Sequence, residues 1–179
     1  MTSRELDEYR ALRETIRERG TARHWVVIVG LVAWAALALA GSVISLPALT
    51  LIPLLVLVAS FEVIFTLHTG VERVGRYIQV FYEETGDTAA WEHVAMAYGR
   101  TFGGGGIDAL FSPLFAVAAL LNVVPVALSG SVAIDWTIVA AVHLLFIVRI
   151  WAATRQAAGQ RAIDLERFTR LKQERTPAS

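Results

Sequence analysis

Four stretches of this sequence are nearly free of charge and long enough, as helix, to cross a bilayer, which takes roughly 20 apolar residues. They cover 25–44, 49–67, 109–128 and 136–153. The first holds no charged residue, and the second is interrupted only by Glu62. The third carries Asn122, Pro113 and Pro125, and the fourth carries His143 and Arg149. Lipid offers no hydrogen-bond partners to an open sheet edge, and a barrel would show short alternating strands, so these blocks predict helices. The expected fold class is all-α: a four-span transmembrane helical bundle filling 25–153, with tight hairpins at 45–48 and 129–135.

The polar remainder is also patterned. Thr2-Ser3-Arg4-Glu5 has the spacing of a capping box, and Leu6, Tyr9, Leu12 and Ile16 then share one helical face, predicting an amphipathic helix over 1–20 that ends near Gly20. After the second span, Val71, Val74, Ile78 and Phe81 keep intervals of three and four, so that helix is expected to continue to about Glu84. Leu165, Phe168 and Leu171 mark a third amphipathic helix in the tail, 154–179. These apolar stripes need partners, and Leu6, Tyr9, Leu12, Ile16, Val74, Ile78 and Phe81 are the expected packing positions.

The middle segment, 70–108, is less regular. Asp87 or Thr88 can cap a short helix with Trp91, Val94, Ala95 and Tyr98 on one side, placed along the inner leaflet. Gly103, Gly104, Gly105 and Gly106 follow and read as a hinge or a close backbone approach. They are no phosphate loop, because Ile107-Asp108 stands where Gly-Lys-Ser/Thr would be required.

Composition sharpens the class. Of the 179 residues, 55 % are hydrophobic and 18 % charged, which departs from an ordinary soluble domain in both directions. There is no cysteine, hence no disulfide, thiol nucleophile or thiolate metal site. The 16 basic and 16 acidic residues cancel, so nothing points to nucleic acid.

The basic residues set the orientation. Six arginines precede the first span, three lie between spans two and three, six basic residues follow the fourth, and the two short hairpins contain none. Both termini and the long middle segment are therefore expected in the cytoplasm. A signal peptide ending at 36–40 is the competing reading. Its 24-residue leading region and the apolar run beyond the site favour an uncleaved span. Fifteen arginines against one lysine suggest a high-GC bacterial genome, so the expected location of the spans is the bacterial cytoplasmic (inner) membrane. Residues 70–108 carry a net charge of −3 and 154–179 a net +3, so these segments are expected to pack together or between copies, with lipid head groups as the alternative partner of the tail.

Ionisable groups inside a bilayer are costly, so each needs a named partner. Glu62 and Arg149 both lie 13 residues from the outer end of their spans, a depth of ~20 Å, and can pair. Asn122 and His143 lie at ~9 and ~10 Å and can hydrogen-bond. Glu62 has other readings: protonated, handling ions, or paired with Arg73 or Arg76 of another copy. Arg149 can also snorkel alone to the inner surface. Haem between two histidines is the cofactor reading for His24, His68, His93 and His143: His68 and His143 are too far apart in depth, while His24 and His68 lie at similar depth near the inner surface. Glu-x-x-His pairs for a diiron site are absent. The expectation is thus a non-enzymatic membrane protein, with no catalytic residues, cofactor or metal. It would act as a homo-oligomer or as a small subunit of a membrane complex. A pore lined by Glu62 and Asn122, and a small redox protein, are the alternatives.

Overall fold

The computed structural model of the chain describes residues 2–42, 47–83, 91–95, 108–128 and 133–175. Among these there is no strand. Helix α1 spans Ser3–Ser42 and α2 spans Leu51–Ile78, entered through a 3-10 turn at Pro47–Thr50 and left through a π turn at Gln79–Glu83. Helix α3 spans Ser112–Leu128 and α4 spans Ala133–Arg175. Residues 91–95 form a short helical turn. Three helices, within Ser3–Ser42, Ala48–Glu83 and Trp136–Arg175, are long and apolar enough to cross a membrane.

Two expected boundaries are corrected. The amphipathic helix does not end near Gly20 but runs on as one 40-residue α1. A lone glycine costs a helix only ~1 kcal/mol relative to alanine, and Thr21-Ala22-Arg23-His24 supplies no proline to stop it. In the same way the basic tail does not start a separate helix: α4 is continuous for 43 residues, through Gly159.

The third block is shorter as helix than as sequence. Its 17 residues rise about 26 Å, against the roughly 20 residues a crossing takes. It starts late because Asp108 builds a turn first. The Asp108 carboxylate accepts the backbone N–H groups of Leu110 (3.0 Å) and Ser112 (2.8 Å), and the Asp108 carbonyl accepts that of Phe111 (2.9 Å). Phe111 sits in the left-handed region at φ 54°, and its carbonyl then accepts the amides of Leu114 and Phe115 to open α3.

The chain divides into two compact units, and α1, α2 and α4 contribute residues to both. One comprises Arg23–Thr66 and Asp108–Arg155. Its core is centred on Phe61 of α2, fully buried, with Phe115 of α3 and Phe146 of α4 set edge-on at 5.5 and 5.9 Å between centroids. Gly30 of α1 lies against Ser60 of α2: a Cβ on Gly30 would fall 2.8 Å from that of Ser60, so only glycine lets the two backbones come this close.

The other unit comprises Met1–Ala22, Leu67–Ile107 and Gln156–Ser179. Tyr77 of α2 and Phe81 of the π turn pack against Phe168 of α4 at 5.6 and 6.3 Å, and Tyr9 of α1 packs against Tyr82 of the π turn at 5.7 Å. Of the expected packing positions, Ile78 is fully buried, Tyr9, Leu12, Ile16, Val74 and Phe81 are half-buried, and Leu6 is exposed. Opposite charges of the middle segment and the tail meet: Arg161 with Glu72 (3.0 Å) and Arg73 with Asp164 (3.4 Å). The π turn frees the Val80 carbonyl, which accepts a hydrogen bond from Lys172 Nζ at 2.5 Å.

Candidate functional site: polar groups within the apolar helices

Asn122 of α3 is 2 % exposed and makes contacts with three other segments. Trp34 Nε1–H of α1 donates to its Oδ1 (3.2 Å), its Nδ2 donates to the Thr50 carbonyl (2.7 Å), and Nδ2 also lies 2.9 Å from His143 Nε2 of α4. The roles of these atoms are determined by their partners. An indole can only donate and a backbone carbonyl can only accept, so the amide orientation has one solution. Nδ2 then presents its second hydrogen to His143 Nε2, which must accept. The ring proton therefore sits on Nδ1, where it donates to the Val139 carbonyl at 2.7 Å. Every polar atom of the Asn122 side chain is satisfied, and His143 is held as one neutral tautomer. This geometry suits a cross-helix tie.

Glu62 and Arg149 also meet, with Arg149 Nη2 donating to Glu62 Oε2 at 2.8 Å. The guanidinium lies over the Phe65 ring, 4.9 Å from its centroid. In contrast to Asn122, the pair is incompletely covered: the Glu62 side chain is 40 % exposed and that of Arg149 35 %. The alternative partners for Glu62 are engaged elsewhere. Arg73 meets Asp164, and Arg76 donates to Gln79 Oε1 (2.6 Å) and Glu92 Oε2 (3.2 Å).

An apolar groove of about 320 Å³ lies between α1 and α3, lined by Leu31, Val32, Trp34 and Ala35 on one side and Leu114, Val117, Ala118 and Leu121 on the other. Among the described residues no group of three or more His, Asp or Glu side chains is arranged to hold a metal ion. His24 stands edge-on to Phe111 at 5.7 Å, and His68 is buried. Gly103, Gly104, Gly105 and Gly106, expected as a hinge, lie outside the described residues, as do Asp87, Thr88 and Tyr98.

Sequence reasoning missed a charge cluster in the other unit. Arg13 of α1 donates to Glu83 Oε1 (3.0 Å) and Glu92 Oε1 (2.7 Å), and Arg76 closes on the other Glu92 oxygen. Glu83 also accepts the backbone amides of Glu92 (3.0 Å) and His93 (3.3 Å), and its carboxylate is 3.5 Å from His93 Nδ1. Arg76, Glu83 and Glu92 are buried. The short turn at 91–95 thus turns Glu92 inward and leaves Trp91 69 % and Val94 49 % exposed. The clasp fits tightly against α2 because Gly75 stands below it, where an added Cβ would lie 3.0 Å from Glu92 Oε2. A signal was present in the chain: Glu72, Arg76, Gln79 and Glu83 recur at intervals of four, three and four, a polar stripe opposite the apolar one.

No protein family matches the chain, and no curated protein or solved structure is similar to it.

Proposed function

We propose that this chain is a four-span protein of the bacterial cytoplasmic membrane, with both termini and segment 70–108 on the cytoplasmic side. It acts without catalysis as a member of an assembly, either a homo-oligomer or a small subunit of a larger membrane complex. The observation that carries the reading is the continuation of α1, α2 and α4 beyond their apolar stretches into a unit built from buried arginine–carboxylate contacts. Burying such charges costs desolvation and adds little stability over apolar packing, but it specifies one arrangement. A single defined arrangement of helices is what a docking site for other chains requires. The Asn122 tie supports the same reading, since its polar atoms serve packing between helices.

The test is the mass and content of the particle extracted from the expressing membrane into nanodiscs, together with the sidedness of tags at the two ends. A particle of several chains with both tags on the inner side is expected. A lone chain with no co-purifying protein, or tags on opposite sides, would overturn it. The partial exposure of Glu62 favours one second reading, a pore whose water path Glu62 faces. Ion flux from liposomes separates the two: Glu62→Gln changes conductance or selectivity in a pore and changes only stability in an assembly subunit.

A further inference from the structure

We infer that the flank of α2 and α4 around the Glu62–Arg149 pair is the face on which a second copy of this chain docks. The inference rests on the assembly reading above and names its surface. Although the pair is closed within one chain, more than a third of each side chain stays exposed, and both residues lie in the apolar stretches of their helices. Hydrocarbon cannot solvate the remaining carboxylate lone pairs and guanidinium N–H groups, so the exposed side of the pair requires a polar cover.

The surroundings allow close approach. Ala59 and Thr66 stand three and four residues from Glu62 on α2, and Leu145 and Ala152 stand four and three residues from Arg149 on α4. All four are exposed, one helical turn to either side of the charges. Three of the four, Ala59, Thr66 and Ala152, are small, and small side chains beside a polar group are what membrane helices use at contacts.

Charge complementarity selects the occupant. A patch that presents adjacent positive and negative groups is its own complement under a two-fold rotation. Glu62 of each copy then meets Arg149 of the other, and the two pairs close into a ring of four alternating charges. A lipid phosphate would answer Arg149 but repel Glu62. The Phe65 ring beneath the guanidinium holds it in the orientation the ring requires.

The absence of native cysteine allows single-cysteine variants without background. Thr66→Cys and Ala152→Cys, treated in the membrane with a short bismaleimide, are expected to give a band at twice the chain mass. Val117→Cys, exposed on α3, is expected to stay at chain mass. A charge exchange supplies the second arm. Chains carrying Glu62→Arg or Arg149→Glu each set like charges against themselves and are expected to lose the cross-link at Thr66→Cys. Co-expressed, every contact between the two unlike chains is again between opposite signs, and the cross-link returns between them. If the charge variants fail to fold, the cysteine arm alone decides. Cross-links at Val117→Cys with none at Thr66→Cys or Ala152→Cys would overturn this face while leaving the assembly reading in place. A lone chain with no cross-link at any position would overturn both.

Discussion

Replacing Asn122 tests whether the polar tie among α1, α3 and α4 contributes to stability as its geometry implies. Asn122→Leu keeps approximately the same volume but removes one acceptor and two donors. It leaves the Trp34 N–H, the Thr50 carbonyl and the His143 Nε2 without that partner. Interhelical hydrogen bonds in membranes average ~0.6 kcal/mol and reach ~1.7, so three such bonds put the loss at about 2 kcal/mol and at most about 5. Asn122→Asp separates hydrogen bonding from packing, because it keeps the shape but offers the Thr50 carbonyl no donor, while His143 can meet the new carboxylate by taking a proton on Nε2. Its imidazole is expected to carry that proton. Equilibrium unfolding in micelles by steric trapping gives the free energies, and the 15N shifts of the imidazole report the tautomer, with the proton on Nδ1 in the parent protein. A loss below ~0.5 kcal/mol for Asn122→Leu, or a parent imidazole with its proton on Nε2, would refute the donor and acceptor assignment.

The charge clasp predicts that Gly75→Ala crowds the Glu92 carboxylate and offsets the ~1 kcal/mol that alanine otherwise adds to a helix, so the variant is no more stable to chemical unfolding than the parent. Burial and the Glu8 carboxylate push the Tyr82 hydroxyl above its ordinary value, and Tyr77, which donates to Glu8 Oε1 at 3.1 Å, is raised from the same causes. A group whose value is raised on folding contributes stability that is complete below its unfolded value and is lost as pH rises through the folded one. The parent should therefore lose stability as pH rises above about 10, and a Tyr77→Phe, Tyr82→Phe double variant should show a flatter alkaline profile. Glu5 is lowered, chiefly by the Thr2 backbone amide that donates to it (2.7 Å). Its contribution is complete above the usual carboxylate range and disappears as pH falls through the folded value. Protection of the amides of residues 3–6 relative to an unstructured peptide should fall in acid, and Glu5→Gln should remove that dependence.

Helical class and the long apolar stretches were legible because charge-free runs of this length have few other outcomes. The pairs Glu62–Arg149 and Asn122–His143 were also visible, because equal residue counts along straight helices imply equal depth. The boundaries at Gly20 and after residue 153 were not. Sequence marks where polarity changes, but a helix stops only where its backbone is broken, and no breaker stands at either place. The clasp was missed for a different reason: Arg13, Arg76, Glu83 and Glu92 come from three distant segments, and solvated charges look the same in sequence as buried, paired ones. Trp34 escaped notice because a tryptophan in an apolar run reads as bulk, while its N–H is what orients Asn122.

The π turn at Gln79–Glu83 closes α2 with a wider coil than the one before it. Deleting Ile78, in the α-helical run just ahead of it, would rotate the turn by roughly 100° relative to Arg76. The Glu83 carboxylate would then point away from Arg13 and from the amides it receives. The count of residues between Arg76 and Glu83 is therefore as constrained as their chemistry, and a shift in spacing of one should break the Arg13–Glu83 contact as surely as replacing Glu83 with alanine.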